Sequence, residues 1–484
     1  MHRQNILDMY SAVETGRGFD VVIIVSSDSA QADFWQQRLS SSRGAVIGKN
    51  TQVISVEEDW PGGAGQLLGT LYAWEKARTH HDLQATLEQN GTIAMYHTAG
   101  KGTRMAPLPA SEANNKSAIK LPRIIENDDG KRILTVLEAV IFQTGIFATS
   151  RQGRLCVFWG DQVFIPSKAV DYEGRCHAEI LDIRDRIPSD PQTWEREWQS
   201  YGLIIPTPEG GALQREKQTW DELQNLISSG TVQADPSGGA VLGKSLGCFS
   251  LSNKLLRALL DESEEELNQK QLKLDTDPHL WMPLTSSREE FVAGGGDVAN
   301  WKRVARFSEQ FQSEDENRLL MFGDMDLGAQ TLWWDYGQVQ LYHRNFLKAL
   351  EDSFEGECMR LFFDLEKYRT ENTFLIESQV RGPVKNSILI SSDIGKADIS
   401  DSVVINSSVG ELKGENLLVY NCNEPSTLGP ESGAVIADIR VPNLNPIRMK
   451  TNLSRDGKED WEETLSGNPY SYAKLAEVVA DSLT

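Results

Sequence analysis

Residues 92–108 read Thr-Ile-Ala-Met-Tyr-His-Thr-Ala-Gly-Lys-Gly-Thr-Arg-Met-Ala-Pro-Leu. The run 92–96 is short, apolar and β-prone, so it predicts a strand that ends in a glycine-rich turn. Gly100 and Gly102 let backbone N–H groups crowd around an anion with no Cβ in the way. Arg104 adds a fixed, forked charge that matches phosphate oxygens. A Gly-x-Gly turn alone is weak. Pro107, Leu108, the downstream Lys116 and two distant Asp motifs strengthen it.

Outward from this stretch, short β-like runs alternate with helical patterns. Strands are expected at 21–26, 51–56 and 155–159, with helices at 33–39, about 69–78 and 133–144. Such alternation predicts α/β architecture, a mostly parallel sheet with ligands beyond the strands' C-terminal ends. The middle of the chain mixes a hairpin (201–206 with 212–215), a strand at 245–252, a helix at 253–260 and an apolar edge at 330–334. Beyond about 384 the texture changes to short β-runs with small polar residues between them. Apolar pairs fall six apart (388 and 394, 399 and 405, 403 and 409), which predicts coils of a parallel β-helix. A terminal helix is expected at 470–483.

The chain has 484 residues, enough for two or three domains. Hydrophobic residues make up 39%, charged residues 24%, and the mean hydropathy is −0.39, which reads as soluble and globular. A net charge of −22 argues against wholesale binding to nucleic acid or anionic membrane. A local phosphate site is still compatible with it. Five scattered cysteines without metal-ligand spacing fit reduced thiols in a cytoplasmic protein. No secretory h-region and no apolar run long enough to cross a bilayer is present.

These motifs resemble the sugar-1-phosphate nucleotidyltransferases, or NDP-sugar pyrophosphorylases. The string from Gly100 to Leu108 is similar to that family's Gly-x-Gly-Thr-Arg-Leu-x-Pro-Leu loop. Residues 115–119 resemble its Lys-Pro-Ala-Val segment, with Ser117 where proline is usual and Lys120 competing with Lys116 for the signature lysine. Gly160-Asp161 after a strand resembles the metal motif. Tyr201-Gly202 through Glu216-Lys217 resembles the sugar-pocket hairpin, with Gln218 replacing proline. The segment 246–256 is similar to its "Gly-x-Tyr-x-Phe, then helix" stretch. Trp333-Trp334-Asp335-Tyr336-Gly337-Gln338 resembles a second metal motif in which Trp-x-Asp-x-Gly-Thr is common. The likeness spans roughly 50–345.

One departure concerns order. A base-reading Gln-x-x-Gly-Thr usually follows the loop, whereas here Gly65-Gln66-Leu67-Leu68-Gly69-Thr70 precedes it. If the strands keep their places in a 3-2-1-4 sheet, the chain has only been relinked, with the strands near 21 and 51 forming one wing and the strand near 92 at the centre. That order resembles the fucose-1-phosphate guanylyltransferase branch.

The resemblance implies a Rossmann-like, GT-A-like catalytic domain over 1–375 (core 15–165, sugar-binding half 166–345), a left-handed parallel β-helix over 376–450, and a tail with a helix over 451–484. It implies Mg²⁺-dependent transfer of a nucleotidyl group from an NTP to a sugar 1-phosphate. UTP with glucose 1-phosphate is the commonest pairing, and GTP is the competitor. Arg104, Lys116 and Asp161 would be catalytic, with Mg²⁺ on Asp161 and Asp335. Gln66, Gly69, Thr70, Ala99, Gly100, Lys101, Gly102 and Thr103 would bind nucleotide. Gly202, Glu216, Lys217 and Gly247 would meet the sugar and its phosphate. β-Helix domains in the family often mediate homo-oligomer assembly.

Rival readings exist. Asp324 and Asp326 compete with Asp335 for the second metal position. The string 238–245, ending in Gly243-Lys244-Ser245, fits a P-loop to the letter, yet poor strand material precedes it and a strand follows where a helix is needed. The substitutions at Ser117, Gln218 and Gln338 fit a regulatory sugar-nucleotide-binding paralogue without turnover. Trp333 and Trp334 read as core, and the histidines lack metal spacing.

Overall fold

In the computed structural model, which describes residues 1–127, 130–171, 174–234, 239–316 and 319–482, the glycine-rich turn leaves the centre of a parallel wing. Strands β1 (Val21–Ser26), β2 (Gln52–Glu57), β3 (Ile93–His97) and β6 (Arg154–Trp159) lie in the order β2-β1-β3-β6, all parallel. Between β3 and β6 the chain forms a hairpin, β4 (Lys120–Asn127) with β5 (Gly130–Thr135). Every residue of β1 and β3 is buried, the signature of strands covered on both faces. This is the relinked order expected from the sequence: β1 and β2 form one wing and β3 is central.

Beyond β6 the sheet becomes mixed. β11 (Val241–Ser252) runs antiparallel to β6, to β8 (Cys176–Arg186) and to β9 (Gly202–Pro206). β9 carries β10 (Ala212–Glu216) as a hairpin, and β12 (Leu320–Asp326) lies parallel to β8. A separate ladder joins β7 (Gln162–Ile165) to β13 (Leu332–Asp335). The chain is therefore α/β. Because β2, β3 and β6 point the same way, Glu58, the turn after His97 and Asp161 all emerge on one rim.

Three helices start where the sequence pattern did not place them, the one expected at 33–39 running Ser29–Ser40. Residues 133–135, expected as helix, finish β5, and helix Val136–Thr144 begins after Thr135, whose side chain and Glu138 form a capping box. The helix expected from about 69 starts at Gly65. Its first amides are satisfied from far away: Gln66 N–H donates to Asp275 Oδ1 at 2.9 Å, and Leu67 N–H to the Leu274 carbonyl at 2.9 Å.

In the C-terminal region two parallel sheets share one repeat. Ile388 pairs with Val403 and Val403 with Leu418 in the first; Ile394 pairs with Val409 in the second. The register thus advances by fifteen residues rather than six. Six is the interval at which the chain passes from one sheet to the other, as from Ile388 to Ile394. Serine hydroxyls brace successive repeats: Ser402 N–H donates to Ser387 Oγ and Leu417 N–H to Ser402 Oγ, each at 3.0 Å. Asn386, Asp401 and Asn416 turn the corners in left-handed conformation, which short polar side chains tolerate.

This region and the terminal helix Tyr472–Asp481 are fastened to the segment after the glycine turn. Tyr420 Oη donates to Glu112 at 2.7 Å and accepts Lys120 N–H at 3.0 Å, and Asn114 Nδ2 donates to the Ala476 carbonyl at 2.8 Å.

Candidate active site

Gly100 and Gly102 take positive φ values of 119° and 61°, so the turn after Thr98-Ala99 folds tightly before Thr103 opens a short 3-10 turn, Thr103–Met105. A Cβ on Gly102 would stand 2.8 Å from Lys116 Cβ, so the missing side chain lets Lys116 lie along the turn. Lys116 Nζ reaches Asp161 Oδ2 at 2.8 Å. Lys101 and Arg104 are exposed beside it.

Asp335 arrives from the other side of the chain because β13 pairs with β7, placing it opposite Gln162, the neighbour of Asp161. Its Oδ1 accepts Gly337 N–H at 2.6 Å. A Cβ on Gly337 would lie 2.9 Å from that oxygen and 3.5 Å from Arg104 Nη2, so the guanidinium and the carboxylate flank the same small space. Burial raises the Asp335 carboxyl above its ordinary range, and the negative charge of Asp161 adds to this. Arg104 and Lys116 pull the other way. Two repelling carboxylates of this kind suit a hard divalent cation. Among the described residues no three His, Cys, Asp or Glu side chains form a metal cluster by themselves, so ligand oxygens would have to complete the coordination.

The hairpin side joins the same space. The rings of Tyr201 and Trp333 meet at 5.3 Å, and burial followed by the charge of Asp335 raises the Tyr201 hydroxyl. A Cβ on Gly202 would touch Glu216 Oε1 at 2.5 Å. Gln214 Nε2 donates to that oxygen at 2.8 Å and to Asp277 Oδ1 at 2.9 Å. Burial lifts Glu216, and burial together with Glu216 lifts Asp277 to about 7. Lys217 is exposed in left-handed conformation. Gly247 is also left-handed, and a side chain there would overlap the Trp159 indole nitrogen. Gln162 Nε2 donates to the neighbouring Leu246 carbonyl at 2.9 Å.

Other residues take different places. Gln66 is 9% exposed, and its carboxamide accepts from Thr276 Oγ1 at 2.6 Å and donates to the Gly247 carbonyl at 3.4 Å. Thr70 is buried against His97, 2.9 Å from Nε2, and Gly69 sits beneath the Glu58 carboxylate. Lys120 Nζ is held by Glu112 and lies over the Tyr420 ring, which leaves Lys116 as the lysine at Asp161. Asp324 pairs with Arg184 and Asp326 with Lys168.

The P-loop reading fails on geometry. Gly243, Lys244 and Ser245 are paired mid-strand with Arg184, Ile183 and Asp182, and Lys244 Nζ lies 4.6 Å over the Trp198 ring. Gly238, the first residue of that string, lies outside the described residues. Sequence reasoning passed over Glu58, Gln162 and Asp277. Only Glu58 carried a signal, as the acidic residue just past a strand end and before a glycine-rich turn. All five cysteines are buried and free, and among the described residues no helix is long and apolar enough to cross a membrane.

No protein-family model matches the chain, and no curated protein matches it. Among solved structures it is similar to HddC from Yersinia pseudotuberculosis, at 9% identity and a TM-score of 0.27, covering 70% of this chain and 82% of that one. It is also similar to a Bacillus anthracis chain named "Putative Glucose-1-Phosphate Thymidylyltransferase", in complex with a sucrose, at 9% identity and a TM-score of 0.20, covering 69% and 97%. Likenesses this loose leave the reading of function to the site itself.

Proposed function

We propose that the chain transfers a nucleotidyl group from a nucleoside triphosphate to a sugar 1-phosphate, giving an NDP-sugar and pyrophosphate. The observation that carries this is the meeting of Lys116, Asp161, Arg104 and Asp335 beside a glycine turn on the C-terminal rim of a parallel sheet. A sugar-phosphate oxygen attacks the α-phosphorus; the new O–P bond forms as the bond to the bridging oxygen breaks, and pyrophosphate departs. The nucleophile is already an anion, so no general base is required. The work is positioning and charge neutralisation.

In this reading the amides of residues 100–103 and the Arg104 guanidinium hold the triphosphate, and Lys116 offsets charge at the α-phosphate. Asp161 and Asp335 hold Mg²⁺, which supplies further charge neutralisation. Gly202, Glu216, Lys217 and Gly247 form the sugar side. Residues 1–375 act as the catalytic domain, 376–450 as β-helix coils and 451–484 as the tail that meets the turn. The test is a matrix of nucleoside triphosphates against sugar 1-phosphates with released pyrophosphate as readout. Release in at least one pairing, lost in Asp161→Asn, is the expected result; none in any pairing refutes the proposal.

A further inference from the structure

Asp335 reaches the glycine turn on a slender support. β7 and β13 form a two-stranded sheet of their own, four residues to a strand. A ribbon that short is marginal by itself and needs anchorage to a larger body. On the β13 side, Asn345 Nδ2 from helix Val339–Lys348 donates to the Asp335 carbonyl at 2.8 Å. On the β7 side the anchor is the side chain of Gln162. Its Oε1 accepts Trp333 Nε1–H at 2.9 Å, and its Nε2 donates to the Leu246 carbonyl of β11 at 2.9 Å. One carboxamide therefore bridges both strands of the ribbon and fastens them to the main sheet.

The register puts this bridge between the two acidic groups of the site. Gln162 follows Asp161 and stands directly opposite Asp335 in the antiparallel ladder, so the side chains of 162 and 335 leave the same face. Trp333, two residues back along β13, shares that face and meets the Tyr201 ring at 5.3 Å. The partners also dictate the chemistry at 162. An indole nitrogen only donates and a carbonyl only accepts, so the bridge must accept at one end and donate at the other. A carboxamide does both, a carboxylate only accepts, and an apolar side chain leaves two part-buried groups unpaired.

We infer that Gln162 is a positioning residue whose carboxamide fixes how Asp161 and Asp335 face each other. This rests on the proposed function, which puts a divalent cation and a pyrophosphoryl group between those carboxylates. Gln162 is bonded at both ends, so it acts through the two carboxylates.

The test is calorimetric titration of Mn²⁺ into the full chain with saturating pyrophosphate, alongside pyrophosphate release and thermal unfolding. Gln162→Met, similar in length but without a donor, is expected to bind Mn²⁺ about tenfold to a hundredfold more weakly, the range for a lost residue that orients metal-holding groups. Gln162→Glu keeps the acceptor for Trp333 and can donate to Leu246 only when protonated. Relative to the parent at the same pH, its Mn²⁺ binding should be weak at pH 8 and recover toward pH 5.5, a pattern that general loss of stability does not produce. Parent-like Mn²⁺ binding in Gln162→Met, or a Gln162→Glu deficit that is equal at both pH values, would overturn the inference. So would failure of the parent to bind Mn²⁺, whatever the pyrophosphate assay shows. Gln162-dependent Mn²⁺ binding with no pyrophosphate release in any pairing would uphold the positioning role and refute the transfer reaction. Release that Gln162→Met retains in full would do the reverse.

Discussion

Lys116 Nζ and Asp161 Oδ2 stand 2.8 Å apart, a lysine from the segment after the glycine turn meeting a carboxylate from the end of the next parallel strand. Each neutralises the other. In the proposed reaction a triphosphate and its cation would have to compete for both. Asp161→Asn is expected to lower pyrophosphate exchange by about a hundredfold or more, as removal of a preorganised charged group does. Its melting temperature should stay near that of the parent, because the pair is partly solvent-exposed. Exchange rates near wild type would sink the assignment.

Lys244 separates this reading from a P-loop enzyme. Its ammonium rests on the Trp198 ring within β11, and burial lowers its pKa. Lys244→Ala should leave nucleotide affinity unchanged and cost stability of about 0.5–2 kcal/mol through the lost cation–π contact. Loss of nucleotide binding with an unchanged melting temperature would contradict this.

The parallel wing and the glycine turn were legible because β1 and β3 are unbroken apolar runs and Gly100, Gly102 and Arg104 lie together in sequence. Asp161 and Asp335 could be named from local motifs. Their approach depends on the β7–β13 ladder, a long-range pairing that no local pattern encodes. The start of helix Gly65–Ala77 was hidden for the same reason, since Leu274 and Asp275 supply its caps. The role of Gln66 was obscured because its partners Thr276 and Gly247 are remote. In the C-terminal region the sequence spacing marked the corners between sheets, and the fifteen-residue repeat emerges from the strand register and the Ser387, Ser402 and Ser392, Ser407 ladders.

Asp277 gives a pH signature. Its carboxyl titrates at about 7 in the folded chain, against an ordinary 3.8, because it is buried beside Glu216. The folded state therefore holds the proton more tightly than the unfolded chain. That stabilisation is complete below about pH 4 and lost as the pH rises through 7, an effect of at most about 4 kcal/mol. Asp277→Asn should melt higher than the parent at pH 8, and the gap should close toward pH 5. An equal gap at both values, measured by thermal unfolding, would show that Asp277 titrates normally.

Gly457 tests whether the C-terminal segment positions the glycine turn. A Cβ there would overlap the Thr103 carbonyl oxygen and stand 3.0 Å from Ala106 Cβ and 3.3 Å from Ala106 N. These are atoms of the turn itself, and backbone yields less readily than a flexible side chain. Gly457→Ala should therefore displace residues 103–106, at about 1–3 kcal/mol of stability. Turnover should fall by about tenfold to a hundredfold, the scale expected when catalytic groups move by an ångström. Gly429→Ala is the control, since a Cβ at Gly429 meets nothing within 4 Å. If the two variants melt and turn over alike, the contact does not hold the turn in place. If only Gly457→Ala loses turnover, the tail's contact at Thr103 shapes the glycine turn.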